Sequence, residues 1–251
     1  MSIRLEGHTV QRFDGELSHL HVFLLDMGGL VQNQVNMALE ALLKENKSKA
    51  QQVMNNELEV DELELKIDQE VVSILARRTP VARDLRTVMA CSKMVTDLEQ
   101  MGDEAYRIAS LALNMFESSA FENSRDLMHD VSSMGKLVTT MLCDALGSLD
   151  RLDDVAAERI VGDELELDVE FESNMRRLAT YIIEDSRLIG HTIRISLILK
   201  ALERVGSFSR NIAQQVIYIT KGEDVRHQRI RDSHNRNLTG SGKDNVSGRS
   251  G

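Results

Sequence analysis

The sequence predicts an all-α protein built from two tandem three-helix bundles, with six long helices and a pseudo-twofold relation between the bundles. Three observations lead to this fold class. The 251 residues include one proline, no tryptophan and 4% aromatic residues, whereas a chain of this length usually holds about a dozen prolines. Apolar residues recur at steps of three and four as far as residue 222. Short motifs also recur at nearly equal offsets, which indicates an internal repeat.

The first repeat contains three predicted helices. The first carries one apolar stripe from Leu17 to Leu42, and Gly28 and Gly29 within it indicate a close helix contact. The second runs from about residue 49 to 77 and ends before Pro80, because a residue that precedes proline avoids the α region. The third covers about 81–116. Its seam of small and apolar residues indicates close backbone approach: Val95, Leu98, Gly102, Ala105, Ala109 and Ala112.

The second repeat follows the same order, with predicted helices at about 127–149, 154–185 and 187–221. The motif ELEVD at 57–61 matches ELELD at 164–168 with an offset of 107. The motif LEQMG at 98–102 matches LERVG at 202–206 with an offset of 104. Two matches in the same order at nearly equal offsets favour a duplication over a chance likeness of amphipathic helices. We therefore divide the chain into repeats at 1–120 and 121–222 and a polar tail at 223–251, of which 235–251 is expected to be disordered.

The charge distribution narrows the class of partner. The net charge is −10, the tail carries +2, and residues 1–222 therefore carry −12. So acidic a body argues against binding nucleic acid, and against docking on anionic lipid by charge alone. Cys91 and Cys143 are expected to be small core residues. With no signal peptide and no apolar run long enough to span a bilayer, we expect a soluble cytoplasmic protein.

Paired carboxylates are the main candidates for chemistry. Glu57 and Asp61, like Glu164 and Asp168 in the second repeat, lie four residues apart and share a helix face. The simplest interpretation of any one of these acids is a solvated surface. Two such pairs on neighbouring helices would instead offer the oxygen ligands that a hard or borderline cation takes.

The third helix of each repeat supplies the second pair. Glu99 and Asp103 are four residues apart beside Gly102, whereas the second copy has Glu203 and Ser207. Because a hydroxyl replaces a carboxylate there, the second repeat should bind a cation more weakly than the first, and Ser207→Asp should raise its metal content. The predicted metal ligands are Glu57, Asp61, Glu99, Asp103, Glu164, Asp168 and Glu203.

Five segments resemble the PhoU family of bacterial regulators of phosphate transport and phosphate signalling. DLEQMGD at 97–103 is similar to the family's first signature, and ALERVG at 201–206 to its second copy. The segments 77–86, 181–187 and 216–227 resemble the family's links to these helices and its C-terminal helix end. The resemblance covers about 8–228, and the departures from it are Ser207, Arg107 and the polar tail.

The resemblance implies two three-helix bundles and no catalytic activity. It implies a cytoplasmic adaptor between PstB, the ATPase of the phosphate transporter, and the sensor histidine kinase PhoR, which represses the phosphate regulon when phosphate is plentiful. It further implies a homodimer. Some members of the family carry a divalent metal or iron on the paired acids, while others are metal-free. No organic cofactor is implied.

Two alternatives to the adaptor remain open at the level of sequence. A ferritin-like di-metal carboxylate enzyme needs Glu-x-x-His pairs. Glu16 with His19, and Asp126 with His129, approach that pattern at corresponding places in the two repeats. An acidic bundle with a purely structural role is the other alternative. The sequence has no phosphate-binding P-loop, no HExxH zinc motif and no nucleophile elbow.

Overall fold

A computed structural model describes residues 11–116, 125–162, 164–184 and 189–225, and helices are the only regular secondary structure in those ranges. The helices are α1 Gln11–Leu43, α2 Lys47–Arg78, α3 Ala82–Phe116, α4 Arg125–Arg151, α5 Asp154–Gly162, α6 Glu164–Glu184 and α7 Ile189–Lys221. The predicted all-α fold is confirmed. The predicted fifth helix corresponds to α5 and α6 together, and Asp163 between them lies outside the described residues, as does the 235–251 segment of the tail.

Local sequence signals set the ends of α2. Asn46 is the N-cap residue, and its side-chain oxygen accepts a hydrogen bond of 3.0 Å from the backbone N–H of Lys49. At the other end Thr79 adopts a left-handed conformation with φ of 45° and donates its N–H to the carbonyl of Leu75. Pro80 follows immediately, so the helix ends where the sequence predicts.

The core consists of the apolar stripes that the periodicity identifies. Every residue of the predicted α1 stripe is buried, from Leu17 at 2% exposure to Leu42 at 0%. The small-residue seam of α3 is buried as well. Both three-helix groups are present, since α1, α2 and α3 contact one another, and α4, α6 and α7 do the same with α5 packed against each of them.

One core prediction is wrong. Cys91 is buried, and the burial raises the pKa of its thiol to about 12. Cys143, however, is exposed. Its neighbour Leu142 lies on the buried stripe of α4, whereas Cys143 lies one residue further round the helix, on the outer face with Lys136 and Thr140. One residue along the helix is a rotation of about 100°, which is enough to place Cys143 in solvent while Leu142 is buried.

The two repeats pack through an antiparallel pair of helices, α3 and α7. Asp97 of α3 accepts a hydrogen bond of 3.1 Å from the Asn211 side chain, and the Lys93 ammonium lies 5.9 Å from the ring centre of Tyr218. Going backwards along α3 therefore corresponds to going forwards along α7. Antiparallel packing of two equivalent helices is what a twofold axis across their contact produces.

The glycine contacts between α1 and α4 follow the same twofold relation between the repeats. A Cβ placed on Gly28 would lie 2.5 Å from Leu146, and one on Gly135 would lie 3.0 Å from Leu39. Both the glycines and the leucines are related by an offset of 107, so the two contacts are copies of each other. The predicted close contact at Gly28 is confirmed, while Gly29 faces open space.

Candidate functional site

The candidate site lies on the first repeat, where α2 and α3 run side by side. Gly102 is buried in α3, and a Cβ on it would lie 3.5 Å from the Val60 side chain of α2. This close approach brings the acidic pair of α2, Glu57 and Asp61, next to the acidic pair of α3, Glu99 and Asp103. The structure thus brings together all four acids that the sequence predicts for this repeat.

Glu57 is the residue on which the cluster acts most strongly. Partial burial raises its pKa to about 7, with help from a hydrogen bond between its carboxyl group and that of Asp103 and from the charges of Asp103, Asp61 and Glu99. Near neutral pH the Glu57–Asp103 pair therefore holds one proton for part of the time, and Glu57 donates it to Asp103. Ionising both carboxylates, which happens as the pH rises above about 7, leaves two like charges side by side unless a cation compensates them.

Glu64 also belongs to the cluster, although the sequence interpretation did not include it among the ligands. Burial raises the pKa of Glu64, and the nearby charges of Asp68, Asp61 and Asp103 act in the same direction. The pKa of Glu99 is likewise raised, first by burial and then by Asp103, Glu64 and Asp61. Glu64 follows Glu57 by seven residues, which places both on one helix face, and this spacing was the signal available in the sequence.

A surface groove of about 440 Å³ adjoins the cluster. It is lined by Glu57, Asp103, Tyr106, Arg107, Ser110 and Leu111. Arg107 stands where the family resemblance leads one to expect asparagine or a similar residue. It is half exposed, and its Nε lies 3.5 Å from an oxygen of the buried Glu104.

On the equivalent face of the second repeat, Glu203 already has a cationic partner. Lys200 Nζ lies 2.5 Å from one oxygen of Glu203, and the Ser207 hydroxyl donates a hydrogen bond of 3.4 Å to the other. Thr96 is the first-repeat counterpart of Lys200 at the offset of 104, so the first repeat lacks this cation. Asp168 is exposed on α6, and the side chain of Glu164 lies outside the described residues.

The donor set of the first repeat fits a hard cation in kind, since every group is a carboxylate whose repulsion a cation would relieve. The arrangement is not preformed. Within the described ranges, no three Asp, Glu, His or Cys side chains converge on a point as ligands of one ion. A cation at this cluster would therefore require carboxylate side chains to change rotamer, which partly exposed groups do readily.

A buried ion pair joins the two repeats next to the cluster, and sequence reasoning missed it. Glu104 of α3 is fully buried, and its carboxylate contacts the guanidinium of Arg204 from α7 and that of Arg107 from its own helix. Burial raises the pKa of Glu104, while the two arginines oppose that shift. Arg204 also lies 5.4 Å from the ring centre of Phe208. Because these groups are 100 residues apart in the chain, only the packing of α3 on α7 reveals the contact.

The described side chains of the Glu-x-x-His pairs, on which the enzyme alternative depends, do not form a metal centre. Both oxygens of Glu16 accept hydrogen bonds from Arg78, at 2.8 and 2.7 Å. His19 is exposed and packs on Phe23 at 4.5 Å between ring centres, and the side chain of His129 is 85% exposed. The side chain of Asp126 lies outside the described residues. In the described part of this pattern, Glu16 is therefore held in a partly buried ion pair, and the two histidines are exposed to solvent.

The family model described as "PhoU domain" matches residues 24–112 and again residues 131–216. The two matches fall on the two repeats. A curated relative from Pseudomonas putida, named a phosphate-specific transport system accessory protein PhoU homolog, is 40% identical over 227 residues. That alignment covers 90% of this chain and 88% of the relative.

Two solved structures have the same fold. A crystal structure of PhoU from Pseudomonas aeruginosa matches with a TM-score of 0.81 and 39% identity, covering 84% of this chain and all of that one. A phosphate transport system regulatory protein PhoU from Streptococcus pneumoniae matches with a TM-score of 0.75 and 27% identity, covering 85% of this chain and 99% of that one. The duplication, the fold and the sequence thus match those of PhoU proteins along most of the chain.

Proposed function

Because this chain belongs to the PhoU family, we propose that it is a non-enzymatic regulator of phosphate uptake and phosphate signalling. It acts as an adaptor that contacts the transporter ATPase PstB and the sensor histidine kinase PhoR. When phosphate is plentiful it restrains uptake and keeps the phosphate regulon repressed. The observation that carries this proposal is the family match on both repeats, together with relatives that are named as accessory or regulatory proteins of phosphate transport.

A cytoplasmic location follows from the proposed partners, because PstB and the kinase domain of PhoR act on that side of the membrane. None of the helices in the described ranges is both long and apolar enough to cross a bilayer. The ferritin-like enzyme is not favoured, since Glu16 is held by Arg78 and His19 and His129 face solvent.

The experiment is deletion of the gene in its own host, followed by measurement of a phosphate-regulated reporter in high phosphate. We expect derepression of the reporter, and repression again when the wild-type gene is supplied on a plasmid. Normal repression in the deletion strain would contradict the assignment. Co-purification of the tagged chain with PstB and with PhoR tests the adaptor role, and sedimentation velocity tests the proposed homodimer.

We further propose that the first-repeat cluster of Glu57, Asp61, Glu99 and Asp103 holds a divalent cation or iron, and that Glu164, Asp168 and Glu203 hold one less well. Lys200 supports this asymmetry because its ammonium already compensates Glu203. Ser207→Asp alone should therefore raise the metal content of the second repeat less than Ser207→Asp combined with Lys200→Thr, which reproduces the first-repeat residues. Elemental analysis of protein loaded with Mn²⁺ or Fe²⁺ measures this. Equal occupancy of the two repeats in the wild type would refute it.

A further inference from the structure

The outer face of α2 carries three large aliphatic side chains that the fold leaves uncovered. Leu58 is 70% exposed, Leu65 is 60% exposed and Val72 is 64% exposed. They are spaced by seven residues, so they form one row along the helix. We call this row the α2 outer stripe. Single exposed aliphatic residues are common on protein surfaces, whereas these three share one face of the same helix.

The row lies opposite the side of α2 that packs on the rest of the protein. Val60, Ile67 and Ile74 are buried, and each follows a residue of the outer stripe by two positions. Two positions along a helix correspond to a rotation of about 200°. Since α2 packs on α1 and α3 and the inner row is buried, turning the helix to bury the outer row would expose the inner row.

In the second repeat, two of the three positions of this row carry other residues. At the offset of 107, Glu172 replaces Leu65 and Ala179 replaces Val72, while the side chain of Leu165, the counterpart of Leu58, lies outside the described residues. Glu172 is exposed and lies 3.3 Å from Arg176 in a surface ion pair. The duplicated fold therefore does not need an aliphatic row at this place, and α6 provides a comparison within the same molecule.

Acidic side chains surround the stripe. Asp61 and Glu62 follow Leu58 by three and four residues, and Asp68 follows Leu65 by three, so all three exposed acids lie beside the stripe. Residues 57–72 contain seven acids and a single base, Lys66, whose ammonium lies 3.9 Å from Glu62. A ligand for this face must therefore offer apolar surface at helical spacing and positive charge beside it.

We propose that the α2 outer stripe is the docking surface for an amphipathic helix of a partner protein, with Lys or Arg flanking the apolar row of that helix. Seven residues correspond to about two helical turns, so the three side chains face the same direction and can contact one helix that lies alongside α2. From Leu58 to Val72 the stripe spans about 21 Å, so the partner helix needs about four turns. The acids contribute steering and register, and the aliphatic residues contribute the buried contact.

The same charges disfavour two other occupants. An antiparallel pair of α2 helices centred on Leu65 would place Glu62 of one copy opposite Asp68 of the other, which is repulsive. An anionic lipid surface would be repelled by the same acids. The homodimer proposed above would accordingly use a different face of the molecule.

The test uses a synthetic three-heptad peptide with Leu at the a and d positions and Lys at e and g, together with a peptide of the same composition in scrambled order. Binding to the full chain is measured by fluorescence anisotropy at low and high salt. We expect the triple variant L58S/L65S/V72S to bind the ordered peptide at least about tenfold more weakly than wild type. E62Q/D68N should weaken binding at low salt and reduce its salt dependence.

The matched control is V155S/V169S, which removes two exposed valines of α5 and α6 and should bind like wild type. Circular dichroism melts show whether the triple variant is folded, and we expect its melting temperature to stay near the wild-type value because all three residues are exposed. Equal binding by the wild type and the folded triple variant, or by the ordered and scrambled peptides, would overturn the proposal. The proposal would also be overturned if the triple variant lost the homodimer, or if the wild type bound anionic vesicles and the triple variant did not.

Discussion

Glu57→Gln tests whether the acids of α2 and α3 repel one another in the folded protein. Burial and the neighbouring Asp103, Asp61 and Glu99 raise the pKa of Glu57 to about 7. The folded chain therefore holds this proton more tightly than the unfolded chain. The resulting contribution to stability is complete below the ordinary glutamate pKa of 4.5 and is lost as the pH rises through about 7. Glutamine keeps the shape and the hydrogen-bond donor but never ionises.

The expected size follows from the difference in pKa. A change from 4.5 to about 7 corresponds to at most roughly 3 kcal/mol. Glu57 is half-buried rather than enclosed, and water screens its neighbours, so we reduce the figure to about 1 kcal/mol. Glu57→Gln should thus be close to neutral at pH 5 and stabilising by about 1 kcal/mol at pH 8. For a chain of this size the gain corresponds to a rise of about 2–4 °C in melting temperature.

The assay is urea and thermal unfolding of the two proteins at both pH values, with a chelator present so that no bound cation offsets the repulsion. Glu59→Gln is the matched control, because Glu59 carries the same chemical change on the same helix but is exposed to solvent. It should leave the pH dependence of stability unchanged. If Glu57→Gln destabilises the protein at pH 8, or shows the same pH dependence as wild type, the raised pKa of Glu57 is wrong.

Three further changes test the packing and the cluster. Gly206→Ala should lower the free energy of unfolding by about 1–3 kcal/mol, because its Cβ would lie 2.5 Å from the buried Leu167. Gly29 faces open space, so Gly29→Ala should instead stabilise the helix by up to about 1 kcal/mol. Chemical denaturation measures both changes, and an unchanged stability of Gly206→Ala would contradict the tight contact. Arg204→Met should destabilise the protein by about 3 kcal/mol, because the buried charge of Glu104 then loses one of its two arginine partners. Adding Glu104→Gln should restore most of the lost stability. If the double variant is no more stable than Arg204→Met, the buried charge is not the cause. Asp103→Ala should remove most metal bound by the first repeat, as measured by elemental analysis after loading, and unchanged metal content would mean that these acids are only a solvated surface.

The helices were readable from the sequence because their signals are local. The α1 stripe predicted from the three- and four-residue spacing is buried throughout, and the end of α2 at Thr79 and Pro80 follows from steric limits on neighbouring residues. The duplication was readable for a similar reason, since ELEVD and ELELD preserve the same helix face at a fixed offset. Cys143 was placed in the core wrongly, because one residue of difference in helix phase separates it from the buried Leu142.

The pairing of acids was predicted only in part. Spacing within one helix places Glu57 with Asp61, and Glu99 with Asp103, but it does not show whether the two pairs meet. That depends on the approach of α2 to α3 at Gly102 and Val60, which a linear pattern does not contain. The inclusion of Glu64, and the neutralisation of Glu203 by Lys200, are likewise consequences of side-chain placement.

The sequence by itself determined the helical class, the duplicated architecture, the family and the identity of the acidic faces, because each depends on residues close together in the chain or on similarity along it. Tertiary structure alone decided which helices are neighbours and in which direction. The antiparallel contact of α3 with α7, the buried Glu104–Arg204 ion pair and the raised pKa of Glu57 all arise from groups brought together across tens of residues. Their energies depend on distance and burial in three dimensions, and neither quantity is encoded at a single position of the sequence.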